Sequence, residues 1–186
     1  MKKITERDLQ TLIESDQWMM KVLRTAEKLN LSEWWIGAGF LRNKVWDYIE
    51  DNTIAPDCDV DLVYFNSGDT NAETDHSYDK DMNNKYPFAE WEVRNQARMH
   101  YKNNLQPFYS TSDGIAHWVE TATCVAVKLD KGKLKFLFCH GTDDLFGLIA
   151  RPIGIFQDPK RITIFIDRVE SKKWRERWPD LKVLTN

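Results

Sequence analysis

Three aspartates at alternate positions, Asp57, Asp59 and Asp61, lead into a run of strand-forming residues, Val60, Leu62, Val63, Tyr64 and Phe65. On a β-strand, side chains at i and i+2 leave the same face roughly 7 Å apart. Asp59 and Asp61 are therefore expected to point together, with Asp57 at the strand's edge. Two carboxylates held that close repel one another and resist burial unless a cation joins them. Mg²⁺ suits such a pair, because it takes oxygen ligands and usually combines one or two carboxylates with substrate phosphates. A pair of such ions activates an attacking hydroxyl and stabilises a leaving phosphate. Taken alone, the same pattern also fits a solvated strand end.

Upstream lies a second chemical signal. Trp34-Trp35-Ile36 reads as a short strand, Gly37-Ala38-Gly39 as a turn, and a helix follows from Phe40, with Leu41, Val45, Trp46 and Ile49 on one face. Glycines between a strand and a helix let the backbone approach a phosphate, and the helix amides and dipole favour its charge. The segment comes close to a dinucleotide fingerprint, with Asp59 twenty residues beyond Gly39. Arg42 stands where that fingerprint needs a third glycine for close helix packing, and three acids stand where one ribose contact is needed. No Gly-x-x-x-x-Gly-Lys-Ser/Thr phosphate loop is present.

The elements that must position these groups are legible in outline. Apolar residues at three- and four-residue steps predict helix over 5–30, with Ser15-Asp16 as a break and Thr5 and Asp8 as an N-cap. Strands are expected at 58–65 and 88–93, and 123–129 with 134–139 reads as a hairpin or a helix-to-strand pair. The polar stretch 66–84 reads as a surface excursion with one short helix. Helices are expected at 112–120, at 142–150 with Thr142 as cap, and at 161–178 as a basic terminal helix. Its segment from Lys172 to Trp178 fits either packing by a tryptophan face or contact with nucleic acid. Strands alternating with helices indicate an α/β (α+β) chain: a mixed sheet flanked by helices, in one domain spanning 1–186.

Composition agrees. Lys and Arg total 26 and Asp and Glu 29, a net charge of −3, which argues against holding duplex nucleic acid by bulk charge. No run approaches the roughly 20 apolar residues of a membrane helix, and charges at Glu6, Arg7 and Asp8 interrupt any leader-like start. Cys58, Cys124 and Cys139 are too few and scattered for a disulfide framework or zinc site, and they read as free thiols in a cytoplasmic protein. His76, His117 and His140 show no metal or triad spacing and read as structural or surface residues. Asp143 and Asp144 read as acids stabilising a helix start.

The run Gly37-Ala38-Gly39-Phe40-Leu41-Arg42-Asn43, then Asp59-Val60-Asp61-Leu62-Val63, resembles the core of the DNA polymerase beta-type nucleotidyltransferase superfamily, tRNA nucleotidyltransferases included. Arg42-Asn43-x-Val45-Trp46-Asp47, the segment Trp91 to His100, and Asp143-Asp144-Leu145-Phe146 are similar to a bacterial family of predicted nucleotidyltransferases. The resemblance covers roughly 34–178. It implies a nucleotidyltransferase-like fold, Mg²⁺ or Mn²⁺ as cofactor, and an NTP as substrate. The acceptor is left open among RNA, a protein and a small molecule. It implies Asp59, Asp61 and Glu92 as the catalytic carboxylates and metal ligands, with Glu90, two residues before Glu92, in reserve as the third acid. Gly37, Gly39, Arg42 and Asn43 would hold the triphosphate. Arg94 and Asn95 are nucleotide-binding candidates, although the run from Arg94 to His100 also fits a polar helix start. A non-catalytic nucleotide-binding or interaction module that keeps the fold is the alternative.

Overall fold

The computed structural model describes residues 2–53 and 59–186. Asp57 and Cys58 lie outside the described residues. The N-terminal helical segment divides as its sequence indicates. Thr5 and Asp8 form a reciprocal capping box on α1 (Glu6–Glu14), and Asp16 accepts from the Met19 amide to start α2 (Gln17–Glu27). An Asp at that cap satisfies a free amide of the new helix, so the chain restarts rather than continues. Leu9, Ile13, Met19, Val22, Leu23 and Ala26 are all buried.

β1 (Trp35–Gly37) and α3 (Gly39–Ile49) follow, then β2 (Val60–Tyr64), α4 (Ala72–Lys85) and β3 (Trp91–Asn95). A 3₁₀ helix (Gln96–Asn103) leads to α5 (Thr111–Ala116), and β4 (Val125–Asp130) and β5 (Lys133–Phe138) form a hairpin. Lys131 and Gly132 both have positive φ at its turn, the geometry that matches the twist of two paired strands. The chain ends with α6 (Asp143–Phe146), β6 (Ile149–Ala150), a 3₁₀ turn (Gly154–Phe156), α7 (Ile162–Ser171), α8 (Trp174–Arg177) and β7 (Lys182–Val183). The five-stranded sheet has the order β3-β2-β1-β4-β5, and β6 pairs with β7 apart from it. Only β2 and β3 run parallel within the large sheet, so it is mixed, as expected.

The polar stretch after β2 departs from its expected surface role. It forms α4, a helix of 14 residues, and three of its side chains replace a missing strand. Among the described residues, the outer edge of β3 has no strand neighbour. Asn83 accepts from the Trp91 amide at 3.0 Å and donates to its carbonyl at 2.9 Å. Asp79 accepts from the Val93 amide at 2.6 Å, and Asp75 from the Asn95 amide at 3.1 Å. Four helix residues rise about 6.0 Å and two strand residues about 6.6 Å, so the two spacings run nearly in step. The edge groups of β3 are thereby satisfied without a sixth strand.

Two further expectations are corrected. The terminal basic helix is broken: Lys173 takes a left-handed conformation (φ 51) and separates α7 from α8. The helix after Thr142 is a single turn, Thr142 makes no side-chain cap, and Ile149–Ala150 is strand. The tryptophans of the terminal segment pack rather than project. Trp174 and Trp178 meet the buried Trp46 of α3 edge-on, with centroids 5.8 and 4.9 Å apart. Arg177 pairs with Asp47 at 2.7 Å, and the Trp178 indole donates to the same carboxylate at 2.8 Å. This clamp fixes α3 from behind. Among the described residues, no helix is long and apolar enough to cross a membrane.

Candidate active site

The burial pattern of β2 puts Val60, Leu62 and Tyr64 into the core and leaves Asp61 partly open. In β3 the buried residues are Trp91, Val93 and Asn95, while Glu92 and Arg94 stay partly open. The parallel register sets Asp61 beside Glu92 and Val63 beside Arg94. Neighbouring strands lie about 4.8 Å apart, so the two carboxylates sit side by side on one face. Asp59 precedes β2, and all three acids line one cavity of about 540 Å³.

Burial, then the charges of Asp59 and Glu92, push the Asp61 carboxyl up to about 7, against the pull of Lys172 and Arg42. Glu90 is exposed, is absent from the cavity wall, and contributes its main-chain carbonyl to Val60 at 2.7 Å. Glu92 is thus the third acid that the fold brings to the pair.

The N-terminus of α3 forms another wall, through Ala38, Gly39, Arg42 and Asn43. Its first amides have no partners within the helix and carry the positive end of its dipole. Gly37, expected in the phosphate cradle, does not line the cavity. A Cβ on Gly37 would stand 2.6 Å from the Trp118 ring and 3.0 Å from the Val125 carbonyl, so packing requires glycine there.

Conformational strain sits one residue later. Ala38 has φ 53 and ψ −125, a region that L-residues rarely adopt. Such strain costs about 1–3 kcal/mol, and Ala38→Gly is expected to stabilise the protein by about 1 kcal/mol in urea unfolding, net of glycine's added chain entropy. An unchanged or lower stability would show that this backbone is at ease.

Arg42 is buried and its orientation is set. It donates to Thr123 Oγ1 at 2.9 Å and Asn43 Oδ1 at 2.8 Å, and its guanidinium lies 4.3 Å from the Trp174 ring centre. Arg94 lines the cavity but is held to Asp79 at 2.6 Å and reaches Glu92 at 3.4 Å. Asn95, expected to bind nucleotide, does not reach the cavity. Its buried amide donates to the Asn66 and Asp69 carbonyls and accepts from the Ala97 amide, closing the loop after β2 and capping the 3₁₀ helix.

The other half of the wall is not legible from spacing in the sequence. Met99, Lys102 and Asn103 come from the 3₁₀ helix, His117 and Trp118 follow α5, and Arg168 and Lys172 come from α7 and its end. His117 stacks on Phe108 with centroids 5.1 Å apart, and its Nδ1 lies 2.8 Å from the Asp113 carbonyl. A carbonyl only accepts, so Nδ1 donates and Nε2 of the neutral ring bears the lone pair. These residues are 38 to 113 positions from the aspartates, and no local spacing links them. The one available signal was the basic character of the segment from Arg168 to Arg177.

Residues 24–183 match the family described as nucleotidyltransferase. The chain belongs to that family. Its fold is similar to a protein whose NMR structure reveals a CCA-adding enzyme head domain, with TM-score 0.89 at 23% identity over 98% of this chain and 97% of that one. It is also similar to a CCA-adding enzyme in complex with ATP, with TM-score 0.53 at 16% identity over 98% of this chain and 42% of that one. The apo form I of a tRNA-processing enzyme gives TM-score 0.50 at 17% identity, over 98% of this chain and 46% of that one. The chain thus spans less than half the length of those two enzymes. At such identities the likeness is one of fold, and it accords with the mixed sheet and flanking helices of this nucleotidyltransferase. No curated protein matches the chain.

Proposed function

We propose that this chain, acting as one nucleotidyltransferase domain, moves a nucleotidyl group from an NTP to an acceptor nucleophile in a divalent-metal-dependent reaction that releases pyrophosphate. The observation that carries this reading is the register of Asp61 against Glu92, with Asp59 alongside, in a cavity walled by the N-terminus of α3. Among the described residues, no three side chains form a ready-made metal cage. An open, all-oxygen donor set with two carboxylates suits Mg²⁺ or Mn²⁺, which retain water and phosphate ligands. The mutual repulsion at Asp61 is the charge imbalance such an ion relieves. Asp59 and Asp61 would hold it, and when bound it supplies neutralisation of charge at the reacting phosphate.

The chain's own groups account for the remaining roles. The amide end of α3 at Gly39 receives phosphate oxygens, and Arg42 and Asn43 stand beside it as a fixed charge and a fixed polar group. Glu92 orients the acceptor and takes its proton as the new bond to the α-phosphorus forms and the bond to pyrophosphate breaks. Preorganised charge and positioning supply most of the catalysis in such a site. The ATP complex of the similar CCA-adding enzyme supports an NTP as substrate. RNA ends, proteins and small hydroxylated molecules are the acceptor classes to be screened.

The test is pyrophosphate release from each labelled NTP with Mg²⁺ or Mn²⁺ across those acceptors. Turnover that Asp59→Asn lowers by roughly 10³-fold is expected, since charge neutralisation there is worth several kcal/mol. Nucleotide binding without turnover for any acceptor would reduce the chain to a binding module.

A further inference from the structure

Gln96 Oε1, His100 Nδ1 and Thr111 Oγ1 are buried and have no hydrogen-bond partner among the described residues. Of these three residues, Gln96 lines the cavity. It is only 2% exposed, so its amide is withdrawn from bulk water yet borders a space that holds a ligand. Its Nε2 donates to the Arg94 carbonyl at 3.4 Å. The reverse orientation would set two carbonyl oxygens against each other, so the oxygen is the free end of the amide. A buried acceptor of this kind is unfavourable until a donor reaches it.

The backbone fixes where that amide stands. Gln96 continues the alternation of Glu92 and Arg94 along β3, and all three residues line the cavity. Four extended residues span about 13 Å, a separation that a nucleoside bridges between a 5′-phosphate near Glu92 and the edge of its base. The amide packs on Gly114 of α5, where a Cβ would stand 2.7 Å from Oε1 and 2.8 Å from the Gln96 Cβ. Gly114 lines the cavity too, and Phe108, His117 and Trp118 add flat rings to its wall. A fixed acceptor among flat rings is the lining that a heterocyclic base requires.

We propose that Gln96 is the base-reading residue of the site: its Oε1 accepts from the exocyclic amine of the NTP's base, so the site takes amino-bearing bases in preference to uracil. This rests on the nucleotidyltransferase reading above. Cytosine presents an N4 amine where uracil presents a carbonyl oxygen, and a second carbonyl opposite Oε1 repels instead of bonding. A pocket that depends on a hydrogen bond from its ligand rejects the analogue lacking the donor, because its own buried group then stays unpaired.

Isothermal titration of the whole chain with Mg²⁺ and no acceptor tests the assignment. The probes are CTP against UTP, ATP against purine riboside triphosphate, which lacks the amine, and inorganic tripolyphosphate, which lacks a base. For at least one pair the unaltered protein is expected to bind the amino-bearing member about tenfold or more tightly. Gln96→Met keeps the length of the side chain and removes the acceptor. It should bring that preference to within about twofold and leave tripolyphosphate binding equally close to the unaltered value, with circular dichroism verifying the fold. Absence of any preference in the unaltered protein, its survival in Gln96→Met, or an equal loss for tripolyphosphate would overturn the assignment alone. Failure of the unaltered protein to bind any of the nucleotides or tripolyphosphate would overturn the NTP reading and Gln96 with it.

Discussion

Asp61→Asn is expected to abolish pyrophosphate release and yet raise the melting temperature of the metal-free protein. Both effects have one cause. The carboxylate is held among Asp59, Glu92 and the cavity wall, where burial and like charges lift it from 3.8 to about 7. Between those values the folded protein binds a proton that the unfolded chain has released, so ionisation disfavours folding there. The penalty is absent below about pH 4, grows as pH rises, and levels off above about pH 7.

Each pKa unit corresponds to about 1.4 kcal/mol. Because the cavity admits solvent, a gain on the order of 2 kcal/mol is the expected size, or roughly 4–8 °C for a chain of this length. Scanning fluorimetry in EDTA at pH 8 measures it, and the gap to the unaltered protein should close as pH is lowered towards 4. Addition of Mn²⁺ should stabilise the unaltered protein and leave Asp61→Asn little changed. A variant no more stable than the parent at pH 8 would mean that the three acids do not oppose one another.

The second large effect lies outside the cavity. Asp75 is fully buried and accepts from Tyr64 Oη at 2.9 Å, the Asn95 amide at 3.1 Å and Arg98 Nε at 2.9 Å. Burial, and then the hydrogen bond to Asp75, push the Tyr64 hydroxyl well above its usual range. Asp75→Ala would leave a guanidinium, a hydroxyl and an edge amide of β3 without their acceptor at once. Breaking a buried pair in this way costs about 3–5 kcal/mol, so Asp75→Ala should lose that much in urea unfolding or fail to accumulate. Asp81→Ala, at an exposed position of the same helix, should change stability by less than about 0.5 kcal/mol. Equal effects from the two would show that the α4 ladder does not hold β3.

These two residues also mark what was readable in the sequence. Asp61 was legible because strand alternation is a local rule: apolar residues at 60, 62 and 64 require position 61 to face the other way. The break at Ser15-Asp16 and the strand-turn-helix at 35–49 were legible for the same reason, through caps, glycines and periodicity.

Asp75 was not legible. A helix bearing Asp75, Asp79 and Asn83 reads as a solvated face, and only the missing strand beside β3 gives it a polar surface to bury. The four-residue spacing of those acceptors was visible, but its partners at 91, 93 and 95 become evident only once the topology is known. Asn95 and Gly37 misled in the opposite direction, because a polar amide and a glycine beside a motif look functional. Here they serve a loop and the Trp118 ring. Lys172 stood out only as part of a basic segment and Arg168 not at all, because the terminal segment joins the site only by folding back over α3.

The most direct measurement is a crystal structure of the protein with Mn²⁺ and a non-hydrolysable NTP analogue, read through the anomalous signal of manganese. The expected result is metal density bridging the carboxylates of Asp59 and Asp61 to the phosphates, with the triphosphate against the Gly39 end of α3 and Glu92 facing the α-phosphate. Manganese bound away from both aspartates, or an analogue seated elsewhere with Glu92 turned from it, would contradict the proposed site.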